Sequence, residues 1–394
     1  MTISPSNDPI ISISIELLPE FGFTVQDEPV YGPGSVFQGI VHLRMKESPV
    51  AADRIVIAFK GAENATAVHD GVKFLVPLLK NPFFGMQQTL WQRTREDCLL
   101  TEDHYQFPFT IQMPMIQFPP SMSHALYQCK FDLSAKLIRT TFTLPTVVSH
   151  RSINYMPFIE TTLLKQPIIE LGSDSGLDAS VRLHSLAYVP GDSIPITIVA
   201  SRRHTHSNSS SKQKEDQPAE VNSILLELCE TVALVQSRAV TMTKVVASHL
   251  YKPNAKGYKY ALVKTANGTG AEYQVSLPLP VDLTPSINYS KIVKVSYTLH
   301  VKIKSNHSGF LIGSIWNSNV DMELPLMIGT LGYGIRASQD LQVYYVDTEN
   351  SPRFLRSLEY EESLPLYESA KLPSYRDTDA HTLIETPKFY CLNT

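Results

Sequence analysis

From Val293 to Lys304 apolar and polar residues alternate without a break. Val293, Val295, Tyr297, Leu299, Val301 and Ile303 are interleaved with Lys294, Ser296, Thr298, His300, Lys302 and Lys304. A repeat of two is that of a β-strand, whose successive side chains point to opposite faces; a helix would scatter these residues round its circumference. Phe131, Leu133, Ala135 and Leu137 alternate in the same way with Lys130, Asp132, Ser134 and Lys136, and shorter runs do so at 37–45, 55–59 and 224–228. The 27 prolines fall mainly between these runs, where turns and strand ends accept them. No long amphipathic helical pattern interrupts the series, so the fold class is all-β.

The alternation is organised by an internal repeat. Tyr31-Gly-Pro-Gly34 precedes one strand and Tyr188-Val-Pro-Gly191 another, an offset of 188 − 31 = 157. Tyr105-Gln106 leads through Met113-Pro114 to Pro120-Ser121, as Tyr273-Gln274 leads through Leu279-Pro280 to Pro285-Ser286, where 286 − 121 = 165. The run at Phe131 matches that at Tyr297, with 297 − 131 = 166. Three matches in one order at a nearly constant offset imply a duplicated sandwich. The copies are expected at 10–166 and 177–346, with the boundary in the Gly-, Ser- and Asp-containing stretch 167–176. The drift in offset points to an insertion in the second copy, and 202–218 (RRHTHSNSSSKQKEDQP), without an apolar side chain, reads as a disordered one. Residues 347–394 lose the alternation and read as an acid-rich, flexible tail.

Composition narrows the function. At 394 residues with 43% hydrophobic and 18% charged residues, the chain buries more than one core. A formal net charge of −4 gives no reason to expect nucleic acid as a partner, since phosphate neutralisation requires clustered Lys and Arg. Cys98, Cys129, Cys229 and Cys391 lie far apart with no C-x-x-C pair, so they read as buried or incidental thiols of a reducing compartment. The first ten residues carry no positive charge and no apolar core, and no window approaches the roughly 18 apolar residues of a spanning helix. A cytoplasmic location is expected, and the five N-x-S/T sequons, such as those at Asn64 and Asn208, are then without consequence.

Catalytic motifs are missing. There is no phosphate-binding glycine loop, no G-x-S-x-G and no H-E-x-x-H. His204 and His206 are two ligands in a polar loop, which reads as solvated histidine rather than a metal site. The chain is therefore expected to be no enzyme and to need no cofactor or metal. Arg202, Arg203, Lys212 and Lys214 make the insertion basic; beside the solvated-loop reading stand a phosphorylation site and a peripheral contact with anionic membrane.

The tail carries Leu364-Pro365-Leu366-Tyr367 and Leu372-Pro373-Ser374-Tyr375. WW domains bind P-P-x-Y segments in the polyproline II conformation, with proline in an aromatic-lined groove and tyrosine in a second pocket. Each segment keeps the second proline and the tyrosine, Pro365 with Tyr367 and Pro373 with Tyr375. Leu364 and Leu372 stand for the first proline, which fills the groove with less preorganisation. Each site alone is expected to be weak; two on one chain can engage tandem WW domains, with a gain on the order of 10²–10⁴ where geometry allows.

Taken in order, these segments resemble the arrestin family. The Tyr31-x-Pro-Gly34 turn with the strand through Gly39-Ile-Val41 is similar to the opening of its N-terminal domain. Phe107-Pro-Phe109 through Met113-Pro114 to Phe118-Pro-Pro-Ser121, and the strand from Tyr127 to Leu137, resemble that domain's later part. Tyr188-Val-Pro-Gly191-Asp192, Val295-Ser-Tyr297-Thr-Leu299 and Glu323-Leu-Pro325-Leu-Met-Ile328-Gly329 resemble the C-terminal domain. The resemblance spans roughly 10–346 and lies nearest to fungal α-arrestins, which carry P-x-Y motifs behind the second sandwich. It implies two tandem immunoglobulin-like β-sandwiches and a non-enzymatic trafficking adaptor. Such an adaptor joins transporter or receptor cargo to a Nedd4-type HECT ubiquitin ligase for endocytosis and sorting, with recruitment to plasma membrane or endosomes. The competing reading is a structural arrestin-fold subunit of a sorting coat or signalling scaffold, whose complex would survive removal of everything after about Val346.

Overall fold

The computed structural model describes residues 11–18, 24–25, 28–46, 49–68, 75–94, 99–140, 146–174, 176–202, 219–235, 240–253, 260–265, 268–308 and 315–344, and among these it contains strands and turns but no helix. Two sheets form the first sandwich. The smaller joins β1 (Ile11–Leu17), β4 (Val36–Met45) and β7 (His104–Gln112) in the order β1-β4-β7. The larger runs β2-β3-β11-β10-β5-β6, from β2 (Thr24–Val25), β3 (Glu28–Tyr31), β5 (Ala52–Val68), β6 (Leu75–Gln92), β10 (Tyr127–Arg139) and β11 (Val147–Tyr155), with β9 (Met122–Ser123) beside β10. Short β8 (Ile116–Gln117) belongs to neither sheet.

The second sandwich repeats this plan. One sheet orders β12 (Leu163–Asp174), β13 (Leu177–Ser185), β15 (Ser193–Arg202), β19 (Gly268–Pro278) and β18 (Ala261–Thr265) as β12-β13-β15-β19-β18. The other orders β14 (Ala187–Tyr188), β16 (Val221–Leu234), β17 (Thr241–Tyr251), β20 (Val293–Ser308) and β21 (Ile315–Ile328) as β14-β21-β20-β16-β17. A final short strand, β22 (Gln342–Val343), pairs with β8.

The repeat seen in the sequence returns as matching hydrogen bonds. Gly34 and Gly191 adopt positive φ, 74° and 86°, at the turns opening β4 and β15, a conformation that a Cβ disfavours. The Gly34 amide donates to Pro114 O (3.2 Å) and that of Gly191 to Pro280 O (3.1 Å). The Met113 amide donates to Ser35 O and the Leu279 amide to Asp192 O. Ser121 and Ser286 exchange paired bonds with Tyr155 and Ile328, and a short parallel pair closes each copy: Tyr31 opposite Tyr155, Tyr188 opposite Ile328.

Alternation fixes the core. The odd positions of β20 from Val293 to Ile303 are buried, as are Phe131, Leu133, Ala135 and Leu137 on β10. Two expectations are corrected. The stretch 167–176 is not a linker: residues through Asp174 belong to β12, paired with β13, and the crossing between sandwiches falls at 156–162. Gly172 is there for close packing, since a Cβ on it would stand 2.5 Å from Val320 Cγ1. Arg202 closes β15 opposite Leu177, so it is strand rather than insertion, and 203–218 lie outside the described residues.

Candidate functional site: the seam between the sandwiches

The six residues expected to bind a WW domain, Leu364, Pro365, Tyr367, Leu372, Pro373 and Tyr375, lie outside the described residues, as do His204 and His206. What the structure does build is the seam from which the chain runs on towards them. Three elements make it: the crossing 156–162, the segment 329–344 that follows β21, and the face of the first sandwich around β8.

Crossing and returning segment are laced together at close range. The Thr330 hydroxyl donates to Pro157 O (2.6 Å) and accepts from the Ile159 amide (2.8 Å), while the Thr161 hydroxyl donates to Leu331 O (2.8 Å). Such proximity requires Gly329, because a Cβ there would lie 2.5 Å from Thr161 Cγ2 and 2.9 Å from Ile159 O. Gly334, at φ 85°, lets the chain turn. Glu160 then receives Arg336 Nη1 (2.7 Å) and the Ala337 amide (2.9 Å), which together hold its carboxyl below the usual range, the amide contributing most. The ion pair is exposed, so its strength depends on salt.

Beyond this lacing the chain reaches the first sandwich. β22 runs parallel to β8, with the Gln342 amide donating to Met115 O (3.0 Å) and that of Tyr344 to Gln117 O (3.3 Å). The Tyr344 ring lies 5.4 Å from that of Phe118. Phe118 is fully buried among Phe84, Phe131 and Tyr155, with centroids 5.3, 6.1 and 5.9 Å away. From the second sandwich Tyr289 donates its hydroxyl to Phe118 O (3.1 Å), and burial raises its pKa well above the ordinary value, so it remains a donor.

Each sandwich also buries a glutamate against a tyrosine. Glu63 on β5, 0% exposed, accepts from Tyr127 Oη (2.7 Å). Glu230 on β16, 3% exposed, accepts from Tyr297 Oη and Lys244 Nζ, both at 2.8 Å. Burial, with the neighbouring carboxylate, pushes both phenols up, and they donate at any ordinary pH. Glu230 and Lys244 also bear on His124, in the turn between β9 and β10 of the first sandwich. Desolvation is the main cause of that histidine's lowered pKa, and its Nδ1 accepts the Leu126 amide (3.2 Å). The sequence reading missed both glutamates, although a signal was there. Each occupies an inward position of an apolar series (Ile55, Ile57, Phe59, then Glu63; Leu226, Leu228, then Glu230), and 230 − 63 = 167 is close to the repeat offset.

The seam's chemistry is that of holding. Its tyrosines and the buried Cys129 are pushed towards their protonated, unreactive forms by burial. Among the described residues no group of three or more His, Cys, Asp or Glu could hold a metal ion, and no helix is long and apolar enough to cross a membrane. His42, on the outer face of the small sheet, bridges Glu16 (2.7 Å) and His104 (3.3 Å) without converging on a common point.

No curated protein matches the chain. Residues 173–333 match the family model described as arrestin (or S-antigen), C-terminal domain. That span covers nearly all of the second sandwich, and the duplicated β-sandwich plan agrees with it. The match makes the second sandwich similar to an arrestin C-terminal domain.

Proposed function

We propose that the protein is a non-enzymatic trafficking adaptor that brings a Nedd4-type HECT ubiquitin ligase to transporter or receptor cargo. The observation that carries this reading is the pairing of an arrestin-type body with two L-P-x-Y segments on one chain. They lie 20 and 28 residues beyond Tyr344, the last described residue, as 364 − 344 and 372 − 344 give. The body offers sheet faces to cargo or to the membrane surface, and Tyr367 and Tyr375 anchor the ligase. The mechanism is proximity: holding two proteins together raises the local concentration of one near the other, so the adaptor itself contributes no reacting group. Cytoplasmic residence, with recruitment to plasma membrane or endosomes, follows from the same reading.

The test is capture of a tandem WW-domain fragment by the full chain and by the Tyr367→Ala/Tyr375→Ala variant. Binding is expected to fall on the order of 10²-fold or more in the double variant and by less in either single one. Equal capture by wild type and double variant would remove the ligase arm and leave a structural scaffold.

A further inference from the structure

We propose that the face of β8 is a strand-acceptor slot, occupied in cis by residues 341–344, that an extended peptide with an aromatic side chain at the place of Tyr344 can take in trans.

The first ground is that β8 is held from behind, independently of β22. The Tyr155 hydroxyl donates to Ile116 O (3.0 Å) and accepts from the Phe118 amide (3.1 Å), and Tyr289 donates to Phe118 O. These side chains fix the β8 backbone, so the carbonyls of Met115 and Gln117 stay aimed outward when β22 leaves. A slot with preset backbone acceptors takes a strand without first ordering itself. Secondly, the cis occupant is slight: a two-residue strand where the Gln342 and Tyr344 amides reach Met115 O and Gln117 O, with one ring resting on Phe118. Thirdly, Gln117 is 9% exposed and its Oε1 is buried with no hydrogen-bond partner. A buried acceptor left unpaired is costly, and a native structure seldom keeps one without a reason. An incoming peptide with a side-chain donor at this point satisfies it, an advantage that the cis segment does not have.

The occupant is therefore an extended peptide with its ring over Phe118 and a donor against Gln117 Oε1. A consequence rests on the ligase reading above. With β22 docked, Leu364 lies 20 residues beyond Tyr344, a covalent reach of at most about 70 Å. With β22 displaced the nearest anchor among the described residues is Ala337, on Glu160, and 364 − 337 = 27 residues reach about 95 Å.

The experiment uses the full chain and contains no ligase, so its outcome is separate from that of the WW-domain capture. A fluorescent peptide of residues 340–346 (DLQVYYV) is titrated against wild type and against Gln342→Pro/Tyr344→Ala, which weakens the cis segment and leaves the slot untouched. The variant is expected to bind the peptide about tenfold or more tighter than wild type, because the tethered competitor is weakened. A peptide with alanine at the Tyr344 position should lose most of that binding. In wild type, the amides of Gln342 and Tyr344 should exchange with solvent at least about tenfold faster than those of β20. Equal peptide binding by the two proteins, no binding by the variant, or β22 exchange as slow as that of β20 would overturn the proposal.

Discussion

The two sandwiches share a plan and differ in what fills it. The first packs rings: Phe37 against Tyr31 and Phe59, and Phe131 against Phe59, Phe84, Phe118 and Tyr155. The second packs Ile194, Ile196, Ile198, Leu226, Leu228, Leu299, Val301 and Ile303, all of them aliphatic and buried. Turns, register and buried Tyr–Glu contacts nevertheless recur, so strand alternation and turn chemistry specify the plan and the core accepts either kind of side chain. The glutamates sharpen the contrast. Glu63 is closed off, whereas Glu230 meets Lys244, whose side chain is 59% exposed, at the seam.

The largest expected effect comes from stranding Glu230. Lys244→Met with Tyr297→Phe removes the donors to both its oxygens and should cost about 3–5 kcal/mol in urea unfolding, more than the sum of the single changes. Tyr297→Phe alone, like Tyr127→Phe against Glu63, should cost about 1.5–3 kcal/mol. If the two single changes differ by more than their combined error, the glutamates are not equivalent devices.

Smaller effects are expected at the paired turns. Gly34→Ala and Gly191→Ala should each cost about 1–2 kcal/mol, because both residues have positive φ. The two costs should be close, since the new Cβ at Gly34 would meet only the movable end of exposed Met115, and that at Gly191 would make an ordinary contact with Val281 Cγ1. Melting temperatures of the two variants would compare them directly.

The smallest concerns His124, whose pKa the fold lowers. A group favoured neutral in the native state contributes stability that is present above its unfolded value, near 6.5, and is lost as pH falls below it. Between pH 7 and 5, wild type should lose roughly a few tenths of a kcal/mol relative to His124→Asn, since the ring is partly solvated. Asparagine keeps an acceptor for the Leu126 amide without titrating there. Parallel stability curves for the two proteins would show that the seam ignores this charge.

Much of the body was legible in the residues. Period-two runs gave β10 and β20, and Pro-Gly pairs gave the turns at Gly34 and Gly191, because side-chain direction and positive φ leave marks in local sequence. The stretch 167–176 misled, because glycine serves both loops and close packing, and only Val320 lying against Gly172 shows which.

By itself the sequence determined that the chain is all-β and doubled, since those properties are set residue by residue along a strand. Only the tertiary structure decided how 329–344 binds the crossing and reaches β8, and that Tyr289 and His124 meet the opposite sandwich. The seam is made largely of backbone carbonyls and amides, which every residue carries, so no pattern of side chains announces them.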